Sequence, residues 1–177
     1  MSDNTSSSQT SPQIRILVAG GTFDKQYDEI KQKLVFKHSN VPNMLEIARS
    51  TLAIEVEELF LIDSLDITNK QRQEIVQRCV DAPEDYVVIT HGTDTMVQTG
   101  LAIIEHVNNK VVVLTGAMVP YSVSASDGFF NLGAALAFVQ TLDPGVYIAM
   151  NGKVFPANAV KKNLTLGIFE PTPTFAP

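Results

Sequence analysis

The chain contains 177 residues, of which 45% are hydrophobic and 18% charged, and this balance is typical of one globular domain with a well-filled core. Its net charge of −6 and the lack of a basic cluster argue against nucleic acid or an anionic membrane surface as a partner, which leaves a small molecule. A single cysteine, Cys79, rules out a disulfide within the chain. Because we find neither a run of 18 apolar residues nor a secretory signal, we expect a cytoplasmic protein.

The N-terminal region combines a polar tail with a short apolar run. Residues 1–13 are rich in serine, threonine and asparagine, so we expect a disordered tail before a single domain formed by residues 14–177. Residues 14–19 predict a buried strand that ends at a Gly-Gly-Thr corner, residues 20–22. Residues 24–40 show no helical stripe, so they predict a mobile loop or a hairpin, and loops of that length near a site often serve as lids.

The next stretch repeats the order of helix and strand. Residues 42–50 begin with proline and predict a helix. Residues 54–62 end in a wholly apolar run and predict a strand that leads into the polar pair Asp63-Ser64. Residues 69–80 carry an apolar stripe at helical spacing, and Thr68 is placed to cap that helix.

A continuous apolar run at residues 86–90 predicts a strand buried on both faces, as in a parallel sheet. It ends in His-Gly-Thr-Asp-Thr, residues 91–95, and residues 96–106 predict an amphipathic helix. The polar groups therefore lie where free backbone N–H groups and the helix dipole can hold an anion or a developing oxyanion. The simpler interpretation is that one of the two threonines or the aspartate caps the helix, and that His91 hydrogen-bonds to backbone at the turn.

The last clear elements are two strands and an unusually apolar helix. Residues 111–115 predict a strand that ends at Gly-Ala-Met, residues 116–118, and residues 145–150 predict a fifth strand. Residues 129–141 predict a helix that is apolar nearly all round, which is typical of a large core or a subunit interface, so we expect a homo-oligomer, either a dimer or a tetramer. Beyond residue 152 we expect irregular structure.

Regular alternation of strands and helices predicts a parallel α/β sheet in three layers, of the flavodoxin or Rossmann type. Ligands bind such sheets outside the carboxyl ends of the strands, where residues 20–22, 63–64, 92–94 and 116–118 meet. Threonine hydroxyls gathered there indicate nucleophiles, which need a neighbouring base. The sequence has neither a dinucleotide fingerprint nor a P-loop, nor a cluster of residues with metal-ligand spacing, so we expect no metal and no cofactor.

Four motifs of the chain resemble the N-terminal domain of bacterial-type L-asparaginases. The motifs are Gly20-Gly21-Thr22, His91-Gly92-Thr93-Asp94-Thr95, Gly116-Ala117-Met118 and Asp127-Gly128-Phe129-Phe130-Asn131-Leu132. Each stands at a predicted strand end or helix start, and the chain as a whole resembles a short, single-domain member of that family. The resemblance implies an amidohydrolase that converts L-asparagine and water to L-aspartate and ammonia through an acyl-threonine, without a metal.

The resemblance also implies roles for individual residues. Thr22 matches the nucleophile that attacks the side-chain amide carbon. Thr93, Asp94 and Lys162 match a Thr-Lys-Asp triad that activates water or the acyl-enzyme step, and Asp94 would also bind the α-ammonium group of the substrate. Ser64 matches the serine that binds the α-carboxylate. The other residues expected to contact the substrate are Gly21, Asp63, Gly92 and Ala117.

Two of these matches stay open. Tyr27 is offered as the catalytic tyrosine that partners the first threonine, but it follows that threonine more closely than in two-domain members, so Lys25 is an alternative. Lys162 is aligned with the lysine of the triad, and a shift of one residue would choose Lys161.

Two departures from the family pattern affect the expected activity. Leu65 stands where the family commonly has a glutamine, and no second domain follows to supply a carboxylate to the neighbouring subunit's substrate. Because each missing hydrogen-bonding partner costs roughly 1 to 3 kcal/mol, we expect a high KM. The alternative is a catalytically weak or silent amino-acid-binding module on the same fold. A third interpretation is a general α/β ligand-binding domain whose threonines are only caps.

Overall fold

A computed structural model describes residues 13–172 and contains a six-stranded sheet between two layers of helices. The strands are β1 (Gln13–Gly20), β2 (Lys25–Asp28), β3 (Lys33–Phe36), β4 (Ala53–Ile62), β5 (Tyr86–Thr90), β6 (Val111–Thr115), β7 (Gly145–Met150), β8 (Lys153–Pro156), β9 (Val160–Asn163) and β10 (Ile168–Pro171). The α-helices are α1 (Val41–Ile47), α2 (Asn69–Asp81), α3 (Met96–Ile104) and α4 (Gly128–Val139). The predicted three-layer α/β fold is confirmed.

The order of the main sheet defines where a ligand should bind. The strands follow one another as β4-β1-β5-β6-β7-β8, and all neighbours are parallel except the antiparallel pair β7 and β8. The chain passes from β1 to β4 on one side of β1 and then from β4 to β5 on its other side, which is the flavodoxin arrangement. The crevice of such a sheet opens between the carboxyl ends of β1 and β5, which end at Gly20 and Thr90.

Two hydrophobic cores cover the two faces of the sheet. Side chains alternate along a strand, so Leu17 enters one core and its neighbour Ile16 enters the other. The first core includes Ile75 of α2 and residues of α3, and the second includes Leu132 of α4 and residues of α1. The central strands read as continuous apolar runs because both of their faces are buried.

The helices agree with the sequence-based expectations except at their ends. The helix predicted over residues 42–50 ends at Ile47, and the one predicted over residues 96–106 ends at Ile104. The predicted cap of α2 is confirmed, because Thr68 Oγ1 accepts a hydrogen bond from Gln71 N at 3.3 Å while Gln71 Oε1 accepts one from Thr68 N at 3.0 Å.

Two segments outside the main sheet and its helices form antiparallel hairpins. Of the two predicted alternatives for residues 24–40, the structure has the hairpin, in which β2 and β3 are antiparallel and Lys25 faces Phe36. The prediction of irregular structure beyond residue 152 is wrong, because β8 extends the main sheet and β9 pairs with β10. These strands are four residues long and β9 contains two lysines, so they carry no apolar alternation that would reveal them.

The predicted N-terminal tail falls mostly outside the described residues. Gln13 begins β1, one residue before the predicted strand, and residues 1–12 lie outside the described part. Within residues 13–172, no helix is long and apolar enough to cross a membrane. In the same range, no three histidine, cysteine or carboxylate side chains lie close enough together to hold a metal ion.

Candidate active site

Two glycines bring the ends of β1 and β5 into direct contact. Gly21 has a φ of +78°, and a Cβ built on it would lie 2.3 Å from the backbone nitrogen of Gly92. Only glycine tolerates both the left-handed backbone and the close approach. Thr22 follows Gly21 and begins a short 3₁₀ turn, and Thr93 follows Gly92, so the two predicted threonines extend from backbones that touch each other.

Lys162 links Thr93 to Asp94. Its Nζ lies 2.7 Å from Thr93 Oγ1 and 2.7 Å from Asp94 Oδ1, and it donates a hydrogen bond to each. The lysine side chain is 11% exposed, whereas that of Asp94 is 39% exposed, so the amine is shielded while the carboxylate reaches solvent or a ligand. Thr93 itself is buried and lies 3.7 Å from the sulfur of Met118. The threonine, lysine and aspartate are therefore one connected group.

The neighbouring lysine of β9 points away from this group. Consecutive residues of a strand face opposite sides, and Lys161 forms an ion pair with Glu170 of β10, with Nζ and Oε1 3.3 Å apart. Its side chain is 53% exposed. Of the two lysines left open by the sequence, Lys162 is the one that contacts Thr93.

The residues that follow β4 line the other side of the contact between the glycines. Ser64 packs against Gly92, since a Cβ on that glycine would lie 2.5 Å from the serine Oγ. The Ser64 hydroxyl is buried and has no hydrogen-bond partner among residues 13–172. Asp63 accepts a hydrogen bond from Lys25 Nζ through Oδ2 and one from Leu65 N through Oδ1, at 2.5 and 3.1 Å. The Lys25 hydrogen bond is the main reason why the pKa of Asp63 is lowered.

A network below the site holds the loop after β6. The carboxylate of Asp127 accepts hydrogen bonds from the backbone nitrogens of Met118 and Val119, at 3.0 Å each through Oδ1. Asn131 donates to Gly116 O at 2.9 Å. Ala117, which lies within this held loop, is fully buried. The sequence motif of residues 127–132 therefore fixes the loop that places the Met118 sulfur beside the second threonine.

His91 is a structural residue, as the simpler interpretation of the sequence suggests. Its Nδ1–H donates to Gly92 O at 2.7 Å, and its Nε2 accepts from Thr99 Oγ1 at 3.0 Å. Burial lowers the pKa of His91 to about 4, so the ring is neutral and can donate at one nitrogen while it accepts at the other. The imidazole thus fixes the turn between β5 and α3.

The interpretation of the polar triplet as a helix cap is wrong. Thr95 occupies the N-cap position of α3, but its side chain caps no backbone N–H and instead donates to Ser64 O at 2.8 Å. Thr93 and Asp94 bond to Lys162. The three side chains therefore serve contacts between distant segments, because partners from β9 and from the turn after β4 occupy their oxygens.

The two candidates for the partner of Thr22 lie on the hairpin of β2 and β3. Lys25 and Tyr27 are two residues apart in β2, so they share one face of that strand. The lysine amine is bonded to Asp63, whereas the tyrosine side chain is 59% exposed. Neither side chain hydrogen-bonds to the Thr22 hydroxyl, and the bond to Asp63 places the Lys25 amine beside the carboxyl end of β4.

Asp24 is a residue of the site region that sequence reasoning missed. It is fully buried two positions after Thr22, and its Oδ1 accepts hydrogen bonds from Asn40 N at 2.8 Å and Ser39 Oγ at 3.0 Å. Burial raises the pKa of Asp24 to about 6 despite these bonds. The carboxylate joins the turn that begins at Thr22 to the segment after β3, and no local pattern in the sequence indicates that it is buried.

Comparison with known proteins gives a consistent result. The family model described as "Asparaginase, N-terminal" matches residues 13–169. The L-asparaginase of Thermococcus kodakarensis is 32% identical over 158 residues, which cover 86% of this chain and 48% of that protein. A protein from Haemophilus influenzae called "Probable L-asparaginase periplasmic" is 32% identical over 173 residues, or 89% of this chain and 48% of that protein.

Solved structures show the same partial coverage. The thermostable L-asparaginase of Thermococcus kodakarensis aligns with a TM-score of 0.77 at 30% identity, covering 90% of this chain and 51% of that one. A probable cytoplasmic L-asparaginase from Campylobacter jejuni aligns with a TM-score of 0.80 at 29% identity, covering 93% and 54%. The chain thus spans about half the length of the curated relatives it matches.

Proposed function

The chain belongs to the asparaginase family, and from that premise we propose that it hydrolyses L-asparagine to L-aspartate and ammonia. The observation that carries the proposal is the hydrogen-bonded group of Thr93, Lys162 and Asp94, which lies across the contact between Gly21 and Gly92 from Thr22. A nucleophile, an amine and a carboxylate in one crevice are the parts that acyl transfer through a hydroxyl requires.

The first half of the proposed reaction forms an acyl-enzyme. Thr22 Oγ1 attacks the side-chain amide carbon, the C–N bond breaks, and ammonia leaves with the proton that the threonine gives up. Lys25 already donates a hydrogen bond to Asp63, so Tyr27, on the same face of β2, keeps the proposed role of partner to Thr22. That role requires the exposed tyrosine to approach the crevice when substrate binds.

The second half regenerates the enzyme. Water attacks the acyl carbon, the bond to Thr22 Oγ1 breaks, and L-aspartate leaves. Thr93 orients this water, and the proton that the water loses passes through Thr93 and Lys162 to the Thr22 oxygen as the ester bond breaks, while Asp94 holds the lysine in place. The exposed part of the Asp94 carboxylate binds the α-ammonium group, and Ser64 Oγ, which lacks a partner among residues 13–172, donates to the α-carboxylate.

The backbone around the threonines encloses the substrate in this proposal. Gly21 and Gly92 let the backbones beside the nucleophile approach each other closely because neither carries a side chain, and Ala117 closes the site at the buried loop after β6. Asp63 contributes to substrate binding through Lys25, because both of its oxygens accept hydrogen bonds from residues of the chain.

Release of ammonia from L-asparagine tests the proposal. We expect Thr22→Ala and Thr93→Ala each to lower kcat by about a thousandfold or more, since each removes a reacting or proton-carrying group. Thr51→Ala removes an exposed threonine two residues before the amino end of β4, whereas the site lies at the carboxyl ends of the strands, so this variant should retain the activity of the unmodified chain. Unchanged turnover in both site variants would reject the assignment. Calorimetric binding of asparagine without ammonia release would favour the silent amino-acid-binding module instead.

We also propose that the chain forms a homo-oligomer, either a dimer or a tetramer. Phe129 and Phe130 of α4 are 39% and 62% exposed, and the ring of Phe129 stacks on Tyr121 with centroids 6.2 Å apart. Aromatic side chains are enriched at subunit interfaces. Light scattering at micromolar concentration should give a multiple of the chain mass, and Phe130→Glu should lower it. A monomer mass for the unmodified chain would contradict this proposal.

The proposed compartment is the cytoplasm. Cys79 is buried and unpaired among residues 13–172, which suits a reducing environment without requiring one. The two relatives named above differ in this respect, since one is called cytoplasmic and the other periplasmic. Fractionation of the source cells, followed by immunodetection, would decide between these compartments.

A further inference from the structure

We propose that Lys25 determines substrate specificity, because its ammonium group binds the α-carboxylate of the amino-acid substrate next to Ser64. This inference rests on the proposed function, and it assigns the carboxylate end of the substrate to a lysine of β2. It also gives Asp63 the part of a positioning residue, which holds the lysine in the crevice through their ion pair.

The backbone of Lys25 is fixed one turn from the proposed nucleophile. Its N–H donates to Thr22 O at the end of the 3₁₀ turn, and its carbonyl accepts a hydrogen bond from Ser122 Oγ at 2.9 Å. The lysine is therefore attached on one side to the Thr22 turn and on the other to the loop that follows β6. A side chain anchored in this way points its amine with little loss of entropy when a ligand binds.

The amine of Lys25 has unused hydrogen-bonding capacity. It donates to Asp63 Oδ2, and it lies 5.9 Å from the centre of the Phe36 ring. An ammonium group carries three donors, so two remain after the bond to Asp63. The side chain is 23% exposed, which leaves part of it accessible to a ligand.

Ser64 supplies the second half of a carboxylate site. It follows Asp63 directly in the chain, and its buried hydroxyl has no hydrogen-bond partner among residues 13–172. Such a group costs free energy unless a ligand or water completes it. One oxygen of a carboxylate can accept from the serine hydroxyl while the other accepts from Lys25, since the lysine donates to Asp63 and the serine is the next residue.

Leu65, the residue after Ser64, offers no polar side chain to a carboxylate. Leu65 is 71% exposed and its side chain is apolar, so it donates no hydrogen bond to a substrate. A charged donor forms stronger hydrogen bonds to a carboxylate than a neutral amide does. Lys25, which donates to Asp63, can therefore supply a contact that the Leu65 side chain does not.

A purely structural role for the ion pair makes a different prediction. Both side chains of the pair are partly exposed, and such pairs typically contribute 0 to about 1 kcal/mol to stability. If Lys25 only fastened the hairpin of β2 and β3, its loss would affect all substrates alike. The two roles are separated by comparing substrates that differ only in the α-carboxylate.

The experiment uses L-asparagine and 3-aminopropanamide, the same amide without its α-carboxylate. For Lys25→Met we expect the KM for L-asparagine to rise about tenfold or more with kcat changed by less than about threefold, because a charged hydrogen bond that binds ground state and transition state equally is lost. The kcat/KM for 3-aminopropanamide should stay unchanged within about twofold. Lys25→Arg should restore most of the asparagine KM, and Lys161→Met, which removes an equal charge from an exposed lysine, should change neither substrate.

An equal loss of kcat/KM for both substrates in Lys25→Met would overturn the proposal and support a structural pair. Calorimetry on the full chain tests it independently of turnover, with L-aspartate and β-alanine as probes. We expect Lys25→Met to weaken L-aspartate binding about tenfold or more and to leave β-alanine binding unchanged. Equal L-aspartate affinity in both chains would overturn it. If the unmodified chain binds L-aspartate through Lys25 but releases no ammonia, only the proposed hydrolysis fails.

Discussion

Replacement of Lys162 by methionine separates catalysis from stability. Methionine keeps a flexible side chain of similar length but removes the amine that donates to Thr93 Oγ1 and Asp94 Oδ1, each at 2.7 Å. The substitution leaves the threonine and the aspartate in place. It therefore tests whether the amine itself carries the proposed proton transfer.

The structure predicts a large effect on activity and a small one on folding. A positioned group that transfers a proton typically contributes a factor of roughly 10² to 10⁴, so kcat for asparagine should fall by about that amount. The Asp94 side chain is 39% exposed, so water can solvate it when the lysine is gone. Loss of a hydrogen bond to the buried Thr93 adds to loss of a partly exposed ion pair, so the free energy of unfolding should fall by about 1 to 2 kcal/mol.

Ammonia release and urea denaturation should be measured on Lys162→Met and Lys161→Met together. Lys161 is the adjacent residue of β9, its side chain is 53% exposed, and its partner is Glu170, so this control removes the same charge from the same strand. We expect the control to keep the activity of the unmodified chain. The reasoning fails if the two variants lose activity equally, or if Lys162→Met loses activity only in proportion to unfolding.

Two further predictions concern stability. Gly21→Ala should lower the free energy of unfolding by about 2 kcal/mol or more, because it places a Cβ on a left-handed backbone, 2.3 Å from Gly92 N. In the same urea titration, Gly133→Ala should raise the free energy of unfolding by up to about 1 kcal/mol, because a Cβ at that helical position has no atom within 4 Å. Because the pKa of Asp24 is raised to about 6, this carboxyl group contributes fully to the free energy of unfolding below about pH 4, and that contribution is lost as pH rises through 6. Relative to the unmodified chain, Asp24→Asn should therefore gain about 3 kcal/mol between pH 4 and pH 7, and a constant difference would contradict the buried carboxylate.

The main sheet and its helices could be predicted because their residues repeat a physical pattern. Residues 86–90 and 111–115 are continuous apolar runs, and strands buried on both faces have that composition. The strands β8, β9 and β10 could not be predicted in this way. The segment Val160–Asn163 contains two lysines, and its partner lies beyond a turn, so pairing rather than local composition makes it a strand.

Part of the candidate site follows from the positions of the strand ends alone. The fold places the carboxyl ends of β1 and β5 together, which brings Thr22 and Thr93 near each other without knowledge of side-chain contacts. The choice between Lys161 and Lys162 depends on which residue of β9 faces the sheet, and no local pattern in residues 160–163 indicates a strand. The caps assigned to the triplet after β5 failed for the same reason, since Lys162 lies 69 residues from Thr93.

The two amines of the site have a common origin that bears on how its chemistry can vary. Lys25 belongs to the β2 and β3 hairpin and Lys162 to the β9 and β10 hairpin, the two small sheets that stand outside the main one. Each amine is paired with a carboxylate beyond the carboxyl end of a main-sheet strand, since Asp63 directly follows β4 and Asp94 lies four residues after the end of β5. The threonines, by contrast, are fixed by buried glycine contacts within the main sheet. Because the hairpins supply charge while the sheet supplies the hydroxyls, loss of either amine should alter binding or turnover while the fold persists.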